Sequence, residues 1–163
     1  FRTPAEGHNI AFTSLWDNYP DSLQIPLQGK ASRAYLLMAG STNHMQCHID
    51  NGVIRVYYED GTCDTLSLVN PDNWPPIEQI FFEDGKSFNR HAPSLYRLRL
   101  KTGELSNNFG EELGFTGVSR EVDGGAAVLL EMSLNAGKKL SHLVLETLSN
   151  EVVIGIMGIT LQR

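Results

Sequence analysis

The segment VIRVYYEDGTCDTLSLV, residues 53–69, constrains the fold more than any other. Two runs rich in β-branched and aromatic residues flank Glu59, Asp60 and Gly61, which is the signature of a β-hairpin. Its register follows from which face must be buried. A two-residue loop at Asp60 and Gly61 would set Leu66 and Leu68 opposite Arg55 and Val53, mixing a charge into the apolar row. A three-residue loop through Glu59, Asp60 and a left-handed Gly61 sets Leu66 opposite Ile54 instead, so the odd loop is expected.

The same rhythm of turn signals and short apolar runs extends along most of the chain. It predicts strands at 10–15, 21–26, 34–39, 53–58, 62–69, 80–82, 96–100, 126–132, 142–148 and 152–161. No segment reads as an amphipathic helix of three turns. The expected fold is therefore all-β, two antiparallel sheets packed as a sandwich, with residues 1–163 forming a single domain. The final run, VVIGIMGITL, is apolar on both faces and belongs inside a sheet, with Gly155 and Gly158 marking a bulge or a close approach of other backbone. The stretch 106–125 lacks strand periodicity and reads as a long loop, either on a ligand side or docked on a parent chain.

A chain of 163 residues buries roughly two thirds of its unfolded surface and needs no metal or disulfide to hold a core. Its hydrophobic and charged fractions are those of an ordinary globular protein, which argues against disorder and against membrane insertion. A net charge of −6 with scattered basic residues argues against nucleic acid, whose phosphates need clustered Lys and Arg. The start FRTPAEGHN has neither initiator Met nor an apolar signal core, so the chain reads as a fragment of a longer one. Cys47 and Cys63 fall in strand-like segments. With turns at Asp50-Asn51-Gly52 and Glu59-Asp60-Gly61 they sit out of register and are expected to be free thiols.

Catalytic motifs are absent from the sequence: there is no G-x-S-x-G, no H-E-x-x-H and no phosphate-binding glycine loop. His44 and His48 have i, i+4 spacing. In an extended segment that spacing separates them by about 13 Å, too far for one zinc ion with its bonds of about 2.1 Å. His8, His91 and His142 have no ligand partner at motif spacing. Acidic and amide residues gather at turns, with Asp50, Asn51, Glu59, Asp60 and Asp64 along the hairpin and Asp72 and Asn73 beside a tryptophan. Such oxygens could hold a structural calcium or remain solvated. No other cofactor is indicated.

Both tryptophans sit in turns rather than strands. Trp16 lies in SLWDNYPDS with Asp17 and Asn18, and Trp74 lies in NPDNWPP with Asp72 and Asn73. A ring beside carboxylates and amides suits a sugar site, where the ring stacks on C–H faces and the polar groups take hydroxyls. A loop tryptophan can equally plug the end of a sandwich. The prolines of NPDNWPP need no function, since they stop the outgoing hairpin strand.

Six phrases together resemble a known domain: LWDNYPDSLQIPLQGKASRAYLLMAGST, MQCHIDNGVIRVYYEDGT, LVNPDNWPPIEQ, YRLRLKTGEL, DGGAAVLLEMSL and LSNEVVIGIMGITL. They are similar to the β-sandwich accessory domain of large secreted bacterial proteins from polysaccharide-utilisation systems, a galactose-binding-like jelly roll. The resemblance runs from about Thr13 onward. It implies a module beside a glycoside hydrolase-like region, in a periplasmic or outer-surface protein, with the remainder of the parent chain as its partner. Many domains of this kind pack on the catalytic region and bind no sugar.

The functional expectation is accordingly a non-catalytic accessory module that supports the catalytic region or binds an oligo- or polysaccharide. Its stacking ring would be Trp74 or Trp16, with Asp72, Asn73, Asp17 and Asn18 as hydroxyl partners. Two alternatives stand beside it: a purely structural interdomain module, and a glycosidase or lyase built on the sandwich, which would need two carboxyl groups about 5–9.5 Å apart.

Overall fold

The computed structural model describes residues 1, 6–78, 90–108 and 122–163, and they form an all-β structure. Among the described residues ten strands run in the order β1 (Ala11–Ser14), β2 (Ser22–Pro26), β3 (Arg33–Ser41), β4 (Asp50–Tyr58), β5 (Cys63–Val69), β6 (Arg97–Arg99), β7 (Leu105–Ser106), β8 (Ala126–Ser133), β9 (Leu140–Thr147) and β10 (Val153–Gln162). One sheet has the order β1-β10-β3-β8-β6-β7 and the other β2-β9-β4-β5. All the strand pairs are antiparallel. Among the described residues no helix is long and apolar enough to cross a membrane.

The sheets share one core, as in a sandwich. Leu36 and Met38 of β3, Val128 and Leu130 of β8 and Ile154 of β10 meet Ile54 and Val56 of β4, Leu68 of β5 and Leu143 and Leu145 of β9. In β3, β4, β8 and β9 alternate residues face this core, the period that a pleated strand imposes. Where that parity must change, a bulge changes it. β10 presents Ile154 and Ile156 to the core, slips register between Ile156 and Gly158 against β3, and then presents Ile159 and Leu161.

The hairpin has the expected odd loop. Ile54 lies opposite Leu66, Gly61 adopts φ 82°, and the Tyr58 and Gly61 amides donate to the Thr62 and Tyr58 carbonyls at 2.9 and 3.0 Å. β10 lies between β1 and β3, as its apolar run requires. A Cβ on Gly155 would stand 2.8 Å from the Ala39 carbonyl oxygen, so a close backbone approach explains that glycine.

Three expectations are corrected. Asp50, Asn51 and Gly52 are not a turn: they open β4, with a register shift between Asp50 and Gly52. Asn51 is fully buried there, and its side chain accepts from Thr42 Oγ1 and donates to the Gln46 and Ile49 carbonyls at 2.9 and 3.1 Å. An amide with both ends satisfied can sit in a core where a solvated turn was expected. Residues His44–Gln46 form a 3-10 turn capped by Asn43, so the segment before β4 curls rather than running extended. The short strand β7 was not foreseen, since two residues carry no periodicity. The strand expected at 80–82 lies outside the described residues, as do residues 109–121 of the long loop.

The chain leaves β5 at Val69 and crosses from one sheet to the other through Asn70–Ile77. Trp74 is fully buried in the shared core. Three residues later, Ile77 takes a place in the opposite sheet. β3 and β8 are paired as far as Met38 and Val128. Two residues on, where Gly40 and Ala126 would meet, Ile77 stands between them. Its amide donates to the Gly40 carbonyl at 2.7 Å and its carbonyl accepts from Ala126 at 2.8 Å. Arg97 locks the junction, with Nη2 donating to the carbonyls of Pro76 at 2.9 Å, Ile77 at 3.3 Å and Ala126 at 2.8 Å. Burial lowers the Arg97 pKa to about 10, which leaves the guanidinium charged at neutral pH.

Gly40 is where this crossover meets the sheet. A Cβ there would lie 1.9 Å from the Val153 carbonyl oxygen and 2.8 Å from Trp74 Cζ2. Neither neighbour is a flexible side-chain tip. Gly40→Ala should therefore exceed the usual overpacking cost of about 1–3 kcal/mol, read as a lower urea midpoint with unchanged slope, and an unchanged midpoint would refute this packing.

Candidate functional site

The two tryptophans part company in the structure. Trp74 has no exposed surface, so its ring cannot receive a sugar, and it fills the core end as a plug. Its neighbours serve the backbone. Asn73 accepts the Val69 amide at 2.7 Å through Oδ1 and donates to the Ser67 carbonyl at 2.8 Å through Nδ2, continuing the ladder past the end of β5. Asp72 accepts the His91 amide at 2.6 Å through Oδ1. The structure thus gives Trp74, Asp72 and Asn73 structural work, because the chain runs inward across the sheet end.

Trp16 is the opposite case. It is 51% exposed, at the turn that carries the chain from β1 in one sheet to β2 in the other. The Ser14 amide donates to the Pro20 carbonyl at 3.0 Å and closes the base of this turn. Inside it the Tyr19 amide donates to the Trp16 carbonyl at 3.0 Å, a β-turn with Asp17 and Asn18 at its two central positions. Both central side chains are exposed.

Two further rings flank Trp16. Tyr19 lies 6.2 Å from it, centroid to centroid, at an interplanar angle of 46°. Phe12 of β1 meets Tyr19 edge-on at 5.2 Å and 64°. Phe12 and Tyr19 are also exposed, as are Ile10 and Leu15. Exposed aromatics gathered at one tip mark a contact surface more than scattered ones do. Sequence reasoning singled out Trp16, Asp17 and Asn18 but not the other two rings. The signal for Tyr19 was the four-residue turn WDNY, which returns the fourth residue beside the first.

The tip is anchored beneath by buried hydroxyls. Thr13 and Thr147 share a hydrogen bond of 2.7 Å that joins β1 to β9 across the two sheets, and Ser14 Oγ donates to the Val152 carbonyl at 2.8 Å. The platform therefore sits on a base tied to both sheets rather than on a free loop.

Five acidic groups elsewhere among the described residues form ion pairs. Glu131 pairs with Arg33, Glu146 with Arg55 at 2.5 Å, Asp123 with Lys101 at 2.5 Å, Asp60 with Lys138 at 2.8 Å and Glu59 with Lys139 at 3.7 Å. Along the hairpin, Asp64 accepts from Tyr58, and Asn51 Nδ2 donates to the Gln46 carbonyl at 2.9 Å. Cys47 and Cys63 are not joined by a disulfide; Cys47 forms an isolated parallel bridge with Asn70, whose Nδ2 donates to its Sγ at 3.4 Å.

One convergence was invisible at sequence spacing. His48, Asp72 and His91 bring one ligand atom each to within 4.8 Å of one another. A scan against protein-family models, a search of curated proteins and a search of solved structures each return no match.

Because one tryptophan is exposed and the other buried, acrylamide should quench the emission in two components. Trp16→Phe should abolish the accessible, red-shifted component and leave a blue-shifted, quench-resistant one from Trp74. A Trp16→Phe protein that is still readily quenched would contradict the burial of Trp74.

Proposed function

We propose that the chain is a non-catalytic accessory module of a carbohydrate-active protein, a jelly roll of the galactose-binding-like kind working in the periplasm or at the outer surface. The observation that supports this reading is the aromatic tip. Phe12, Trp16 and Tyr19 expose rings at an anchored turn, and Asp17 and Asn18 are exposed at its two central positions. Rings of this kind stack on the apolar faces of sugars while the carboxylate and amide take hydroxyls. A net charge of −6 favours neutral glycans over acidic ones.

A second reading draws on the same rings. Ile10 and Leu15 extend the exposed apolar surface beside them, which suits a contact with the remainder of the parent chain in a purely structural module.

Titrating the protein with plant and host oligosaccharides while following tryptophan emission separates the two. A glycan module gives a saturable shift, weakened about 10-fold by Trp16→Ala, in line with roughly 1.4 kcal/mol for a lost stacking ring. Trp74→Phe should leave the affinity unchanged. No saturable response to any glycan would overturn the binding reading and leave the structural one, and glycan cleavage would overturn the non-catalytic one.

A further inference from the structure

We propose that His48, Asp72 and His91 form a binding site for a divalent transition-metal ion of the zinc type. Two imidazoles and a carboxylate are the donor set of open zinc sites, in which three protein ligands leave the remaining positions to water. Imidazole also selects against calcium and magnesium, which prefer oxygen alone. The site is independent of the aromatic tip and of the glycan reading.

Three segments that are distant in sequence supply the ligands, and each is fixed by its backbone. His48 follows the 3-10 turn and takes φ 56°, a left-handed conformation uncommon outside glycine and better tolerated by His, Asn and Asp than by bulky residues. Its amide donates to the Asn70 carbonyl at 2.7 Å, beside the bridge between Cys47 and Asn70. Asp72 comes two residues after that same Asn70, so the first two ligands hang from one anchor. The third is tethered to the second: the His91 amide donates to Asp72 Oδ1 at 2.6 Å.

That last bond also orients the carboxylate. With Oδ1 on the backbone, Oδ2 is turned toward the imidazole, 3.8 Å from His91 Nδ1. The Asp72 side chain is 23% exposed, whereas that of His91 is 68% exposed. The His48 and His91 rings stack with centroids 4.7 Å apart at 28°. Tetrahedral ligands on zinc bonds of about 2.1 Å stand roughly 3.4 Å from one another. The 4.8 Å separation exceeds that distance by about 1.4 Å, a gap that side-chain rotation of the exposed His48 and His91 would close.

A bound ion would staple the connector before β4, the start of the crossover and the segment leading into β6. Its other coordination positions would face solvent. Binding would thus stabilise the fold at this rim and still leave water, or a donor from a partner, on the metal.

The test is calorimetric titration of the chelator-stripped protein with zinc, paired with thermal melts. One ion per chain and a raised melting temperature are expected. His91→Gln should weaken binding at least about 100-fold, since even the outer hydrogen-bond partners of metal ligands are worth about 10–100-fold. His48→Asn should do the same while keeping a residue that accepts the left-handed backbone, so loss of binding is not confused with loss of folding. Asp72→Asn keeps the acceptor for the His91 amide and removes the anionic ligand. His142→Ala, whose ring stacks on Tyr57 at 4.8 Å, should bind as the unaltered protein does. Absence of saturable binding, or binding that survives His48→Asn combined with His91→Gln, would overturn the proposal.

Discussion

Two sheets packed face to face leave an open end, and here the chain closes that end with its own crossover. Trp74 enters the core, and Ile77 stands between Gly40 and Ala126 where those residues would otherwise pair. A buried guanidinium costs several kcal/mol to desolvate. Arg97 offsets that cost by donating to three carbonyls at the junction. Gly40 has to lack a side chain because the Val153 carbonyl and the Trp74 ring already occupy its space. The positions of the other rim segments follow from this closure.

Asn70, at the first step of the crossover, bridges Cys47 and accepts the His48 amide, which ties the connector before β4 to the exit of β5. Asn51 works from the other side. Its side chain holds Thr42, Gln46 and Ile49, and its carbonyl accepts the Leu148 amide at 2.9 Å. The turn between β9 and β10 is thereby joined to the same rim, with Gln46 Nε2 donating to the Asn150 carbonyl at 3.2 Å. Three imported segments with fixed backbones are what allow surface residues distant in sequence, such as His48, Asp72 and His91, to converge.

What could be read in advance was set by local pattern. The odd hairpin loop followed from placing Leu66 on the same face as Ile54, and the close approach at Gly155 and the register slip next to Gly158 followed from glycines that weaken a strand without a packing reason. The turn WDNY was legible for the same reason, and Trp16, Asp17 and Asn18 stand exposed on it. Asp-Asn-Gly at 50–52 misled because turn chemistry and a buried, fully bonded Asn use the same residue types. The fate of Trp74 was not legible, since prolines say that a strand stops but not which way the chain then turns. His91 was not legible either: its partners arrive through the crossover, and sequence spacing carries no trace of that.

Amide hydrogen exchange at the crossover tests this account most directly. If Trp74 belongs to the core and Ile77 to the ladder between Gly40 and Ala126, the Ile77 amide bonded to Gly40 and the Val69 amide bonded to Asn73 should exchange as slowly as the central amides of β3, through opening of the whole domain. Exchange of the Ile77 amide at the rate of an ordinary surface loop, while β3 stays protected, would contradict it.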